Sequence, residues 1–134
     1  MSARNWIQVR QVMRTDVTQV DGKIDVLSAL KIMKKVSATC LIVKRRDERD
    51  EFGMLLFSDV AKQVIAKDRA PERTNVYEIM AKPIISVRPE MDIRYCARMF
   101  ENFGISHAPV VENDEVIGIV SYYLLVLEGL PDLD

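Results

Sequence analysis

Internal repetition narrows the folds open to a short chain more than any other feature, and these 134 residues repeat at an offset of 67. Val9-x-x-Val12-Met13 falls on Val76-x-x-Ile79-Met80, Val17-Thr-Gln-Val20 on Ile84-Ile-Ser-Val87, Asp25-Val26 on Asp92-Ile93, and Met33 on Phe100. Further along the offset drifts, with Leu41-Ile42-Val43 matching Pro109-Val110-Val111 at 68 and Gly53 matching Gly118 at 65. The drift predicts a helical region one residue longer in the second copy. It also matches a first hairpin loop, Lys44 to Phe52, three residues longer than its counterpart from Glu112 to Ile117.

Each half has the same order of elements. A short extended segment (Val17 to Val20; Ile84 to Val87) leads through a turn holding Gly22 or Pro89 into a helix. The helix carries Val26, Leu27, Leu30 and Met33 in one copy and Ile93, Ala97 and Phe100 in the other, at spacings of three and four. Two strands follow, Cys40 to Val43 with Gly53 to Phe57, and Ala108 to Val111 with Val116 to Val120. A closing helix spans about Ser58 to Lys67, or Tyr122 to Glu128, the latter stopped by Gly129 and Pro131. The fold class is therefore α+β, a mixed α/β sandwich of two β-α-β-β-α repeats at 7–70 and 74–130, with Asp68 to Asn75 as connector. Chains of about 60 residues hide only about 60% of their surface, so the halves are expected to share a core about a pseudo-twofold axis.

Composition excludes several classes. Nineteen basic against twenty acidic side chains leave a net charge of -1, which gives no field to draw in nucleic acid or an anionic membrane. No apolar run approaches the roughly 18 residues of a membrane span, and the opening Met-Ser-Ala-Arg-Asn-Trp has no apolar secretory segment; the expected location is cytoplasmic. Cys40 and Cys96 lie in apolar stretches away from any ligand-spaced histidine and read as buried free thiols. One histidine, no phosphate-cradling glycine loop and no metal-spaced cluster argue against an enzyme.

The strand Gly53-Met-Leu-Leu-Phe-Ser-Asp59 recurs as Gly118-Ile-Val-Ser-Tyr-Tyr-Leu124. With Met80, Ile84 to Val87, Pro89 and Gly104-Ile-Ser-His-Ala-Pro-Val-Val111, these segments resemble tandem CBS domains, the paired regulatory unit called a Bateman module. The resemblance covers about Val9 to Glu128. It implies a regulatory, non-catalytic unit that binds AMP, ADP, ATP or S-adenosylmethionine in clefts between its repeats. Such units often pair as a homodimer and act on a separate target protein.

By the same resemblance, a Ser or Thr three residues after the strand glycine faces phosphate and an Asp six residues after it holds the ribose diol. Asp59 matches the ribose position and Ser121 the phosphate position, whereas Leu56 and Leu124 depart from the pattern. A carboxylate can accept both hydrogen bonds of a vicinal diol, and amides at a helix start favour an anion. His107, two residues before Pro109-Val110-Val111, is implied to reach the phosphate of a ligand whose ribose Asp59 holds, with Thr39 in the corresponding place for the Ser121 cleft. Adenine is implied to meet the backbone at Val17 and Thr18, or at Ile84 and Ile85.

Plainer roles stand beside these. Asp59 follows Ser58 at the start of a helix, where Ser is a common cap and an acidic side chain suits the macrodipole, and Ser121 sits where a helix cap sits; the mixed-sign run Lys44 to Glu51 reads as a solvated loop. Met33, Met99, Phe100 and Phe103 read as core or a dimer seam. A dimerisation scaffold whose clefts hold no ligand remains the alternative function, as Leu56 and Leu124 permit, together with an S-adenosylmethionine module.

Overall fold

A computed structural model describes residues 6–82 and 84–130. The opening residues before Trp6 and the helix stop at Pro131 lie outside the described residues. In chain order the elements are α1 (Val9–Val12), β1 (Gln19–Val20), α2 (Val26–Val36), β2 (Cys40–Val43), β3 (Gly53–Leu56), α3 (Phe57–Val60) running into a π-helical turn (Ala61–Ile65), a 3-10 turn (Pro71–Arg73), α4 (Val76–Ile79), α5 (Ile93–Phe103), β4 (His107–Glu112), β5 (Glu115–Ser121) and α6 (Tyr122–Leu127).

The long helices begin and end by local chemistry. Asp25 caps α2 by accepting the Ser28 amide at 2.9 Å and the Ser28 hydroxyl at 2.6 Å. Asp92 caps α5 by accepting the Arg94 amide at 2.8 Å. Each helix stops at a left-handed residue, Ser37 (φ 55°) or Gly104 (φ 63°). Val26, Ala29 and Met33 bury one stripe of α2, and Cys96 and Phe100 the matching stripe of α5.

The chain divides into two compact units whose borders are not those of the repeats. Thr18–Ile84 forms a continuous unit, while Val17 and the described chain before it group with the chain from Ile85 onward. Each unit therefore takes its short leading helix from the other repeat's stretch of sequence. In the continuous unit, β1 runs parallel to β2, β2 antiparallel to β3, and Ala81 extends the sheet by pairing with Met54. Val20, Val26, Met33, Leu41, Leu55 and Val76 form its core. In the second unit β4 and β5 pair antiparallel, with Val87 parallel to Val110 on one side and Arg14 paired to Ile119 on the other. Phe100 is fully buried there among Val9, Val12, Cys96, Val110 and Val120, and meets Tyr122 edge-on with ring centroids 5.2 Å apart.

Several expectations are corrected. α2 and α5 are both 11 residues long. The offset of 67 therefore holds from Val9 and Val76 through Val43 and Val110, and the slip falls after Val110, where the register of the hairpin shifts. The segment Ile84 to Val87 contributes one bridge, not a strand. The connector Asp68 to Asn75 lies inside the continuous unit; the chain passes between units at 17/18 and 84/85. The charged hairpin Lys44 to Glu51 is largely exposed, as a solvated loop should be, and is also anchored: the Asp50 carboxylate accepts from the Arg46 amide at 2.8 Å, the Arg46 Nε at 3.2 Å and the Lys82 ammonium.

The strand glycines have a packing cause. A Cβ on Gly53 would stand 2.6 Å from Met80 Sδ, and one on Gly118 2.6 Å from Met13 Sδ and 2.8 Å from the Arg14 carbonyl oxygen. The residue following each short leading helix crosses its strand here, closer than any side chain allows.

Candidate functional site

Asp59 stands in the first turn of α3, half-buried, where the sheet gives way to helix. Its Oδ2 accepts the Leu56 amide at 2.8 Å; among the described residues Oδ1 has no hydrogen-bond partner. Burial raises the carboxyl above its ordinary pKa, and the Leu56 amide and the Lys62 charge offset this only in part. The N-cap is Leu56, not Ser58, and Asp59 closes a capping box from the third helical position; half of its carboxylate remains for O–H donors. A vicinal diol supplies two such donors without adding charge. The helix widens to a π turn directly afterwards, with the Ala66 amide reaching the Ala61 carbonyl at 2.9 Å, an irregularity often found beside binding sites.

In the other unit, His107 opens β4 and is paired in register with Ser121, the last residue of β5. Residues directly opposite in an antiparallel pair project from one face. Ser121 is buried, and its Oγ caps α6 by accepting the Leu124 amide at 3.3 Å. His107 Nδ1 lies 2.8 Å from the Ser106 hydroxyl, and burial lowers the ring's pKa below its ordinary value. With the ring neutral and Ser106 donating to Nδ1, the remaining proton sits on Nε2, available to an acceptor. Ser106, the residue before the histidine, is thus the ring's hydrogen-bond partner, and that adjacency is the one sign of it in the sequence.

The register also corrects the pairing of candidates. Cys40 is opposite Leu56 as His107 is opposite Ser121. The twin of His107 is thus the buried Cys40, and Thr39, which is exposed, is the twin of Ser106. His107 and Ser121 belong to one hairpin end. This pairing of twins follows from the unbroken offset of 67 through Val110: nine residues separate the paired Val43 and Gly53, against seven between the paired Val110 and Gly118.

The backbone candidates lie where the chain leaves each unit. The Ile42 amide donates to the Thr18 carbonyl at 3.0 Å and the Val17 amide to the Thr15 carbonyl at 2.9 Å. Among the described residues the Thr18 amide has no backbone partner, and neither Ile84 nor Ile85 makes any backbone–backbone hydrogen bond. These polar edges suit an adenine, which presents a donor and acceptors along one side.

Cys40 and Cys96 are buried and take part in no disulfide, and burial pushes the Cys96 thiol up to about 11. Among the described residues no group of three metal-ligating side chains converges, and no helix is long and apolar enough to cross a membrane.

The family model for the CBS domain matches residues 9–66 and again 76–126. A hexameric CBS-CP12 protein from bloom-forming cyanobacteria superposes with a TM-score of 0.88 at 34% identity, over 91% of this chain and 67% of that one. A protein of Methanosalsum zhilinae named homoserine O-acetyltransferase is 36% identical over 117 residues, 87% of this chain but 23% of that protein's length. The domain pair of the protein MJ0100, solved with 5'-methylthioadenosine and S-adenosyl-L-methionine, shares the fold at a TM-score of 0.77 and 23% identity, over 90% of this chain and 94% of that one.

Proposed function

Because the chain belongs to the CBS domain family, with two copies in tandem, we propose that it is a regulatory module that binds an adenosine-containing nucleotide (AMP, ADP or ATP) and passes its occupancy to a separate protein. The observation that carries this reading is Asp59: a half-buried carboxylate with one oxygen spent on the Leu56 amide, the other without a partner among the described residues, and a raised pKa. In this proposal Asp59 holds the ribose hydroxyls. His107, set by Ser106, donates from Nε2 to phosphate, and adenine meets the backbone at Thr18 or at Ile84 and Ile85. The ligands of the MJ0100 pair share the adenosine group, so S-adenosylmethionine is the alternative the test must include.

The test is calorimetric titration of the nucleotide panel, with S-adenosylmethionine and unphosphorylated adenosine beside it, against wild type, Asp59→Ala and Asp59→Asn. Loss of the diol contact, worth about 1.4 kcal/mol, is expected to weaken the tightest ligand at least tenfold in both variants. Asp59→Asn keeps an acceptor for the Leu56 amide and removes a poorly solvated charge. Its unliganded midpoint at neutral pH is therefore expected to equal or exceed wild type. Undiminished affinity in both variants would take Asp59 out of the site, and no binding by wild type at millimolar concentration leaves the scaffold reading.

His107 gives the reading a pH signature. The free ring's pKa is depressed, and a bound phosphate raises it, so binding takes up a proton between the two values. Affinity should rise as pH falls from about 7.5 toward the free ring's pKa, then level off once the free ring is itself protonated. His107→Gln should flatten that part of the profile while leaving any titration of the ligand itself. Superimposable profiles for the two proteins would exclude the histidine.

A further inference from the structure

Beside the turn that follows β1, the continuous unit has a half-open cavity of about 890 Å³, at the other end of its strands from Asp59. The cavity sits at the ends where β1 and β2 finish, whereas Leu56 and Asp59 follow the opposite end, beside Cys40 where β2 begins. Five of its lining side chains are cationic, Lys23, Lys44, Arg45, Arg46 and Lys82, against one carboxylate, Asp21. In a chain of net charge -1 that is a marked local excess.

The cations are built in by different means. Asp50 joins Arg46 to Lys82 with its side chain only 8% exposed, so the hairpin and the segment after α4 are tied at the cavity wall. Arg45 is held with its guanidinium 4.8 Å from the centre of the Phe52 ring. Lys23 and Lys44 make no ion pair among the described residues. Asp21 is turned toward its own loop, accepting the Lys23 amide at 2.8 Å. The walls are fixed by backbone bonds, from the Lys44 amide to the Val20 carbonyl and from the Tyr77 amide to the Gly22 carbonyl, each 2.9 Å. A preformed concave space of this size takes a small molecule, and the exposed ring of Tyr77 offers one flat wall.

We propose that this cavity is a second binding site, for a small molecule carrying linked phosphates. Lys23 and Lys44 have no ion pair among the described residues, so a multivalent anion in the concavity supplies the counter-charge they lack, and guanidinium and ammonium groups together match phosphate oxygens. The site is independent of the nucleotide reading above: none of its residues is Asp59, His107 or Ser121.

Inorganic tripolyphosphate, titrated into the full chain at about 50 mM salt, is the probe. Wild type is expected to bind it, and to bind more weakly as salt increases. Lys23→Gln with Lys44→Gln should weaken binding at least tenfold, because these two cations can be removed without breaking a pair among the described residues, and an unchanged thermal midpoint checks the fold. His107→Gln should bind tripolyphosphate as wild type does. No binding by wild type at millimolar probe, full affinity in the double variant, or an equal loss in His107→Gln would each overturn the proposal. Adenosine, which carries no charge, reports on the ribose site alone and separates failure of one proposal from failure of the other.

Discussion

Phe100→Ala is expected to lower the free energy of unfolding by about 3–5 kcal/mol, measured by denaturant titration. The ring is fully buried in the second unit's core and meets Tyr122 edge-on. Truncation removes apolar surface, leaves a cavity walled by valines from three elements, and forfeits the aromatic pair. Typical domains hold only about 5–15 kcal/mol in total, so the variant should lie near the limit of folding. Phe103 on the same helix is the internal control. Its ring is 62% exposed, and Phe103→Ala should change stability by less than about 0.5 kcal/mol. Similar losses at both positions would mean that the buried face of α5 is misassigned.

Gly118→Ala should cost about 2–3 kcal/mol, and Gly53→Ala about 1 kcal/mol or less. At Gly118 the new methyl would meet the Arg14 carbonyl at 2.8 Å as well as Met13 Sδ. The methionine can swing aside, but the carbonyl cannot, since it accepts the Ile119 amide at 2.9 Å while the Arg14 amide donates back to the Ile119 carbonyl at the same distance. At Gly53 the one neighbour under 3.0 Å is the flexible Met80 Sδ, with Val43 Cβ at 3.3 Å and Ala81 O at 3.4 Å. The lost backbone freedom of alanine returns about 0.4–1 kcal/mol at either site, which can nearly cancel the Gly53 cost. Equal destabilisation of the two variants would show that the thioethers, not the backbone, set the limit.

Much of this was legible in the sequence because it is local. The caps at Asp25 and Asp92, the stripes on α2 and α5 and the two hairpins all follow from spacing and residue type. The strand glycines were visible too, but their cause was not: Met13 and Met80 reach them from distant parts of the chain. Likewise, the pattern of Val9, Val12, Val76 and Ile79 marks buried positions without saying which core each enters, and each enters the core of the other repeat's strands. His107 was assigned the wrong twin because a shifted register in the hairpin looks, in sequence, like a longer helix before it. The cationic cavity was hidden for a plainer reason. Its lysines and arginines come from three separated stretches, and the run from Lys44 to Glu51 read alone is merely a charged loop.

The division of the chain into one uninterrupted unit and one assembled from both of its ends has a consequence for biosynthesis. Val9 and Val12 leave the ribosome well before Phe100, Val110 and Val120, which the core that receives them also needs, so they wait while the intervening chain is made. Thr18–Ile84 has its own core complete as soon as Ile84 has emerged, and units of this kind generally fold as they are made. The second unit then closes a loop of chain whose middle is already rigid, which shortens the flexible length to be joined and reduces the entropy lost in bringing its ends together.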